Sequence, residues 1–197
     1  MKIKKICASV TLILASSVQA APVQWAENNH WYEFVSTPTY ITDARIDALG
    51  REHAGNSGYL VTILSQEEQD FVKSLADRSR AWIGASDNLT EGIWEWMDGP
   101  EAGQELIYSF WAPGEPNDYN RLGEDYAALN WQRGTGRWND WGGPQYTNVH
   151  IGYIVEYSES LANAANVPAP ITVAMLGLGL LGFTFSKRKS IPQTVVI

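Results

Sequence analysis

The sequence predicts an α+β domain, with two helices followed by short antiparallel strands and one long irregular loop among them. Three features carry that prediction. Apolar residues recur at helical spacing in two segments before Ala76, and beyond it the periodicity changes to two. Residues 98–120 follow neither pattern, and a loop of that length inside a small domain usually has a function.

Taken in order, Trp31 to Val35 reads as a first strand. Thr42 to Arg51 follows as a helix, because Ala44 and Ala48 fall on one face at i, i+4. Gly55 to Gly58 breaks it, and Tyr59 to Leu64 alternates as a strand. Ser65 to Glu68 has capping-box spacing, and Phe71, Val72 and Leu75 extend it into an apolar helical stripe. Five short strands are then expected at Ala81–Ala85, Ile93–Met97, Asp125–Leu129, Arg137–Trp141 and Ile151–Tyr157, separated by Gly, Asn, Asp and Pro. Gly134 to Gly136 is the expected hairpin turn.

The two ends of the 197-residue chain differ from its middle. Met1 to Ala20 has the form of a secretory signal: Lys2, Lys4 and Lys5, an apolar run from Ile6 to Leu14, and a small-residue cleavage site at Val18 to Ala20. Cys7, the only cysteine, lies inside it, so the mature protein is expected to have none. At the other end, Ile171 to Ser186 carries no charge and Lys187, Arg188 and Lys189 follow at once. Those residues span about 24 Å as a helix, and extension back to Val167 brings them near the roughly 30 Å of a hydrocarbon core. Gly177 to Gly182 matches G-x-G-x-x-G, but no strand precedes it and no acidic residue follows, so it carries no dinucleotide argument. The expected organisation is a signal segment at 1–20, a folded domain at 22–158, a linker at 159–170, an apolar span with its basic cluster at 171–189, and a tail at 190–197.

Charge narrows the function. Six of the 14 basic residues lie in the terminal segments and all 22 acidic residues lie between them, which leaves the domain eight basic residues and a net charge of −14. Nucleic acid and anionic membrane surfaces are poor partners for such a domain. Nucleophilic catalysis lacks a mature cysteine and a G-x-S-x-G, and His30, His53 and His150 are far apart without zinc-ligand spacing. A carboxylate pair for glycoside hydrolysis cannot be singled out, since Glu115 and Glu124 sit among many other acids. The acids cluster, however. Glu115, Asn117, Asp118, Glu124, Asp125, Asn139 and Asp140 offer the oxygen ligands that calcium takes, and Asp87 and Glu91 add two more from an earlier turn. On composition alone, a calcium site and a solvated acidic surface both remain open.

Five segments bear on that choice. "YLVTILSQEEQDFV" (59–72), "WIGASDNLTEGIWEWMDG" (82–99), "EPN" (115–117), "GED" (123–125) and "WND" (138–140) occur in an order that resembles C-type lectin-like domains, from about Trp31 to Tyr157. The resemblance implies that fold. It also implies a calcium held by Glu115, Asn117, Glu124, Asn139 and Asp140, with the same five residues binding two neighbouring sugar hydroxyls. A second calcium would be held by Asp87, Glu91, Asp118, Glu124 and Asp125. Pro116 is expected to follow a cis peptide bond. The order Glu115-Pro116-Asn117 implies mannose- or glucose-type sugars. The chain departs from the family in two ways: Glu115 and Glu124 stand one residue further apart than in the commonest animal form, and Ala48, Tyr126 and Val155 stand near positions that usually hold cysteine.

Val167 to Pro170, the apolar span and the basic cluster resemble the bacterial PEP-CTERM sorting signal, although Ala169 stands where Glu is usual. That resemblance implies transient inner-membrane anchoring, processing by a membrane transpeptidase (exosortase), and a final place at the cell surface or in the exopolysaccharide matrix. The expected function is calcium-dependent carbohydrate binding without catalysis. A non-sugar interaction module of the same fold and a carboxylate-pair glycoside hydrolase are the alternatives.

Overall fold

A computed structural model describes residues 21–119, 123–143 and 149–158. The expected signal segment, linker, apolar span and tail lie outside the described residues. Among the described residues, no helix is long and apolar enough to cross a membrane.

Among the described residues, two helices and nine strands are formed. They run β1 (Val23–Gln24), β2 (Trp31–Thr39), α1 (Ile41–Leu49), β3 (Glu52–His53), β4 (Asn56–Leu60), α2 (Gln66–Ala76), β5 (Ala81–Ser86), β6 (Glu95–Trp96), β7 (Tyr126–Leu129), β8 (Asn139–Trp141) and β9 (Ile151–Ser158). The strands join in one sheet with the order β1-β2-β9-β5-β7-β8, and β4 and β6 pair onto β9 and β5. The expected antiparallel arrangement needs one correction. β5 and β9 run parallel, with Ala81 opposite Gly152 and Trp82 opposite Tyr153, so the sheet is mixed. The long connection between these two strands leaves room for the crossover that a parallel pair needs.

The strands also differ in their bounds from the sequence reading. β1 and β3 are two-residue strands, too short to leave a periodic signal. β4 ends at Leu60, although Val61 still donates to the Ile154 carbonyl (3.0 Å) and accepts from the Gly84 N–H (2.8 Å). The register of β2 against β9 shifts between Val35 and Thr39, where Pro38 has no N–H to give the ladder.

Alternation along the central strands divides the core between the two faces of the sheet. Tyr153, Val155 and Tyr157 of β9 and Trp82 of β5 pack with Ile41, Ala44 and Ala48 of α1. Ile154, Ala81, Ile83, Ala85 and Leu129 pack with Val72 and Ala76 of α2. One helix therefore covers each face, and the helical face expected from Ala44 and Ala48 is the buried one.

At the start of α2 the Ser65 hydroxyl accepts from the Glu68 N–H (3.1 Å). Glu68 does not complete the reciprocal half of a capping box. Its Oε2 accepts from the Leu64 N–H (2.8 Å) and its Oε1 accepts from the Tyr32 hydroxyl (2.7 Å), which draws the carboxyl group into the core. Glu156 of β9 meets it there, accepting from the Thr62 N–H (3.1 Å) and bonded to His30 Nδ1 (2.6 Å). Glu68 and Glu156 are both buried. Burial, and then the Glu156 carboxylate, push the Glu68 carboxyl up to about 7, while the bond to Glu156 raises His30 above the ordinary imidazole value.

Both shifts have the same consequence for stability. A carboxyl group whose folded value is raised is stabilising while protonated, and that contribution falls as pH rises from its unfolded value near 4.5 to about 7. The raised His30 contributes below 6.5 and loses its contribution as pH passes its higher folded value. In chelator, thermal melts should therefore show a higher Tm at pH 5 than at pH 8. Glu68→Gln should reduce that slope, and an unchanged slope would remove Glu68 as its source.

Candidate metal centre

Three strand ends converge at one end of the sheet. β5 runs out at Ser86 into Asp87, β7 begins just after Glu124 and Asp125, and β8 contains Asn139 and Asp140. The β7–β8 hairpin is held from its far side. Buried Asn130, at φ 61°, accepts from the Gly136 N–H (2.8 Å) and donates to the carbonyls of Asp77 (3.1 Å) and Ser79 (2.9 Å). Gln69 accepts from Trp138 Nε1 (2.7 Å) and donates to the Gly136 carbonyl (3.0 Å), tying the hairpin to α2. Asn130 belongs to no motif singled out above, and Gln69 lies within the 59–72 segment without having been marked there as an anchor. The only local signal for Asn130 is its type, since asparagine adopts the left-handed conformation more readily than most residues.

The long loop returns to this hairpin through tryptophan. The Trp138 backbone N–H donates to the Phe110 carbonyl and its carbonyl accepts from the Ala112 N–H, each at 2.8 Å. Its ring packs edge-on against Trp96, Tyr108 and Trp111, with centroids 5.5–6.3 Å apart. Three residues beyond Ala112 lies Glu115, and the Glu115–Pro116 bond is cis as expected.

From there the backbone wraps over Asp140. Asp140 Oδ2 accepts from the N–H groups of Asn117 and Asp118, both at 2.7 Å. Glu124 Oε2 accepts from the Tyr119 N–H (2.8 Å), and Asp118 Oδ1 accepts from the N–H groups of Gly123 (2.9 Å) and Glu124 (3.3 Å). Asn139 donates its side-chain amide to the Asp140 carbonyl. The structure thus brings Glu115, Asn117, Glu124, Asn139 and Asp140 to one place. Asp118 is turned inward onto its own loop.

The remaining expected ligands adjoin them. Buried Asp87 accepts from the Gly92 N–H (2.9 Å), and its own N–H donates to the Asp125 carbonyl (3.2 Å). Ser86 Oγ donates to the same carbonyl (2.7 Å). Glu91 is exposed on the turn between Asp87 and Gly92. A close approach makes this junction compact: a Cβ on Gly143, at φ 134°, would lie 2.0 Å from the Gly123 carbonyl oxygen. Tyr40 anchors the same residue by donating to the Gly143 carbonyl (2.7 Å).

The electrostatics call for positive charge. Glu115 Oε2, Asp140 Oδ1 and Asp87 Oδ1 are buried and make no hydrogen bond. An anionic oxygen removed from water without a donor is costly unless a proton or a cation meets it. Burial, followed by the Asp140 and Glu124 carboxylates, pushes Glu115 up to about 7. Burial pushes Asp87 up to about 6, with Glu91 and Asp125 adding to the rise. Burial and then Asp118 raise Asp125 as well.

An all-oxygen set of carboxylates and amides suits a hard cation such as calcium. Among the described residues, however, no three His, Cys, Asp or Glu side chains form a metal cage on their own. Two of the five expected ligands are amides, and Asp140 and Glu124 each commit one oxygen to loop N–H groups.

Comparison with known proteins agrees with this architecture. The model of the Lectin C-type domain matches residues 52–149, and that of the PEP-CTERM protein-sorting motif matches residues 166–189. Halomucin from Haloquadratum walsbyi is 41% identical over 149 residues, covering 71% of this chain but only 2% of halomucin. The crystal structure of the C-type lectin CEL-I from Cucumaria echinata superposes with a TM-score of 0.58 at 27% identity, covering 71% of this chain and 99% of that one. The cow CD23 carbohydrate-recognition domain, solved in the presence of GlcNAc2Man3 oligosaccharide, gives 0.56 at 31% identity, covering 72% and 98%. The PEP-CTERM motif marks an exported protein with a C-terminal sorting signal. With its mixed sheet, its two helices and its long loop closed over Asp140, the folded part of this chain belongs to the C-type lectin domain family.

Proposed function

We propose that the domain binds carbohydrate through calcium, without catalysis, at the cell surface or in the exopolysaccharide matrix of the bacterium that exports it. The observation that carries this reading is the pair of neighbouring carboxylates, Glu115 and Asp140, each with a buried oxygen that has no donor, where the long loop closes over Asp140. Glu115, Asn117, Glu124, Asn139 and Asp140 would hold the ion. Asp87, Glu91, Asp118 and Asp125, with Glu124, would hold a second. Bound calcium would supply positive charge and open coordination positions for two sugar hydroxyls. The chain's own part is orientation. Glu115 accepts hydrogen bonds from a hydroxyl and Asn117 donates one, and that order favours mannose- or glucose-type hydroxyl pairs. The cow CD23 structure, with its mannose-containing oligosaccharide, supports this choice.

A second reading is favoured by one observation. Asp140 already holds the loop through two N–H groups, so a loop shaped for a protein partner needs no sugar.

Glu115 and Asp140 make unequal probes. Asp140→Ala frees two loop N–H groups and should cost about 2–3 kcal/mol of stability besides removing a ligand. Glu115→Gln removes only charge. In millimolar calcium, the range typical of extracellular modules, the full-length protein should melt higher than in EDTA and should bind mannan competably by free mannose. Calcium affinity should fall from pH 8 to pH 5.5, since Glu115 must shed a proton to bind the ion. Glu115→Gln with Asn117→Asp should weaken mannose competition and admit galactose. Coincident melts with calcium and EDTA would refute the metal assignment, and retained calcium without any sugar binding would favour the interaction module.

The sorting motif carries its own test. Exosortase processing removes the basic cluster, so mass spectrometry of the cellular protein should find its C-terminus near Pro170. Intact peptides reaching Lys187 to Ile197 on most molecules would indicate a permanent anchor.

A further inference from the structure

The strands that carry the acids at one end carry unpaired cations at the other. β5 is preceded by Arg78 and Arg80 and followed by Asp87, while β7 is preceded by Glu124 and followed, through the hairpin, by Arg133. Six residues of β5 separate the two ends by roughly 20 Å. Four of the eight basic residues between the terminal segments, Lys73, Arg78, Arg80 and Arg133, gather at this end. Elsewhere Arg45 is paired with Asp98, and Arg51 with Asp47 and Glu33. Among the described residues, none of the four lies within 4 Å of a carboxylate oxygen, which is unexpected in a domain this acidic.

They frame a built cleft. An open cavity of about 640 Å³ is lined by Arg78, Arg80 and Arg133, with Ser36, Ser79 and Phe34 beside them, and none of its lining residues is acidic. Asp70 and Asp77 line an adjoining cleft with Lys73. Arg78 and Arg133 are exposed and make no hydrogen bond within the described residues. Arg80 is held rigidly. Its guanidinium lies 4.3 Å from the Trp131 ring centroid and 5.2 Å from that of Trp141, and it donates to the Trp131 carbonyl (3.4 Å). Its Nε is buried and makes no hydrogen bond. Burial and the neighbouring Arg133 cation both lower its proton affinity, as expected where positive charges meet without an anion between them. A planar fork fixed by aromatic rings, flanked by two exposed guanidiniums and two hydroxyls, suits an oxyanion with two or three acceptor oxygens.

We propose that this cleft, at the pole opposite the acidic loop, is a calcium-independent site for the carboxylate or sulfate groups of an acidic polysaccharide. It rests on the carbohydrate reading for the carrier of the anion, and on the arginines for the anion itself. A polysaccharide fits better than nucleic acid, because a duplex carries charge too densely to meet one basic end of an otherwise acidic domain.

The test uses the full-length protein in EDTA at about 50 mM salt, where calcium-dependent binding is absent and screening is modest. Immobilised polygalacturonate offers carboxylates, dextran sulfate offers sulfates, mannan is the neutral control, and double-stranded DNA is the phosphate control. At least one acidic polysaccharide should be retained, identifying the preferred group, and about 1 M salt should release it. Arg78→Ser with Arg133→Ser, both at exposed positions, should weaken retention by about tenfold or more while leaving the melt unchanged. Glu115→Gln should leave retention intact, which separates this site from the calcium site even if the latter binds no sugar. Failure to retain either acidic polysaccharide, retention unaffected by the double substitution, or equal retention of DNA would overturn the proposal.

Discussion

Asp140 Oδ2 accepts the N–H groups of Asn117 and Asp118, and the shape of the long loop depends on that contact. The carboxylate is carried by a strand, so it is as well positioned as β8 itself. The loop residues it holds have no regular structure of their own. Its other oxygen, Oδ1, is buried without a donor, and the Glu115 carboxyl group lies beside this side chain. One side chain therefore does two jobs. Through Oδ2 it fixes the loop with neutral donors, and through Oδ1 it keeps a net negative charge where that loop closes. Charge-assisted bonds to two N–H groups offset only part of the cost of burying the anion. Burial of Glu115 itself, and then the Asp140 carboxylate, raise the proton affinity of Glu115.

This geometry depends in turn on the β7–β8 hairpin, which is tied to both neighbours by buried amides and an indole. Asn130 binds the turn before β5, Gln69 binds it to α2, and Trp138 binds the returning loop. Each bond satisfies a backbone group that burial would otherwise leave without a partner. Where cysteines are usual in the family, Ala48 and Val155 are fully buried in one cluster with Leu60 and Trp82. Gly58 fits between them so closely that a Cβ would stand 2.6 Å from the Ala48 carbonyl oxygen. Close packing occupies the place of a covalent link, and it contributes only in the folded state, whereas a disulfide also restricts the unfolded chain.

Opposite charges at the two ends of the same strands give the domain a polarity that its net charge conceals. β5 and β7 run in opposite directions, yet each has carboxylates at the loop end and arginine at the other. The arrangement keeps the arginines from neutralising Glu115, Glu124 and Asp140. A guanidinium within ion-pair distance would meet the buried oxygens of Glu115 and Asp140 that now have no donor.

The sequence by itself determined the order of the elements and which residues could face a cation. Ala44 and Ala48 at helical spacing, the period-two strands and the motifs at 115–117, 123–125 and 138–140 are local patterns, and local patterns survive translation into structure. Only the tertiary structure decided how those parts meet. The parallel pairing of β5 with β9, the inward turn of Glu68 toward Tyr32 and Glu156, and the anchoring of Gln69 to Trp138 and of Asn130 to Asp77 and Ser79 each join residues far apart in sequence. The gathering of Arg78, Arg80 and Arg133 is of the same kind, because neither end of the pair shows in the sequence that the other is near. Periodicity reports which face of an element is buried. Which partner buries it, and which charge ends up beside which, follows from chain crossings that no short stretch of sequence encodes.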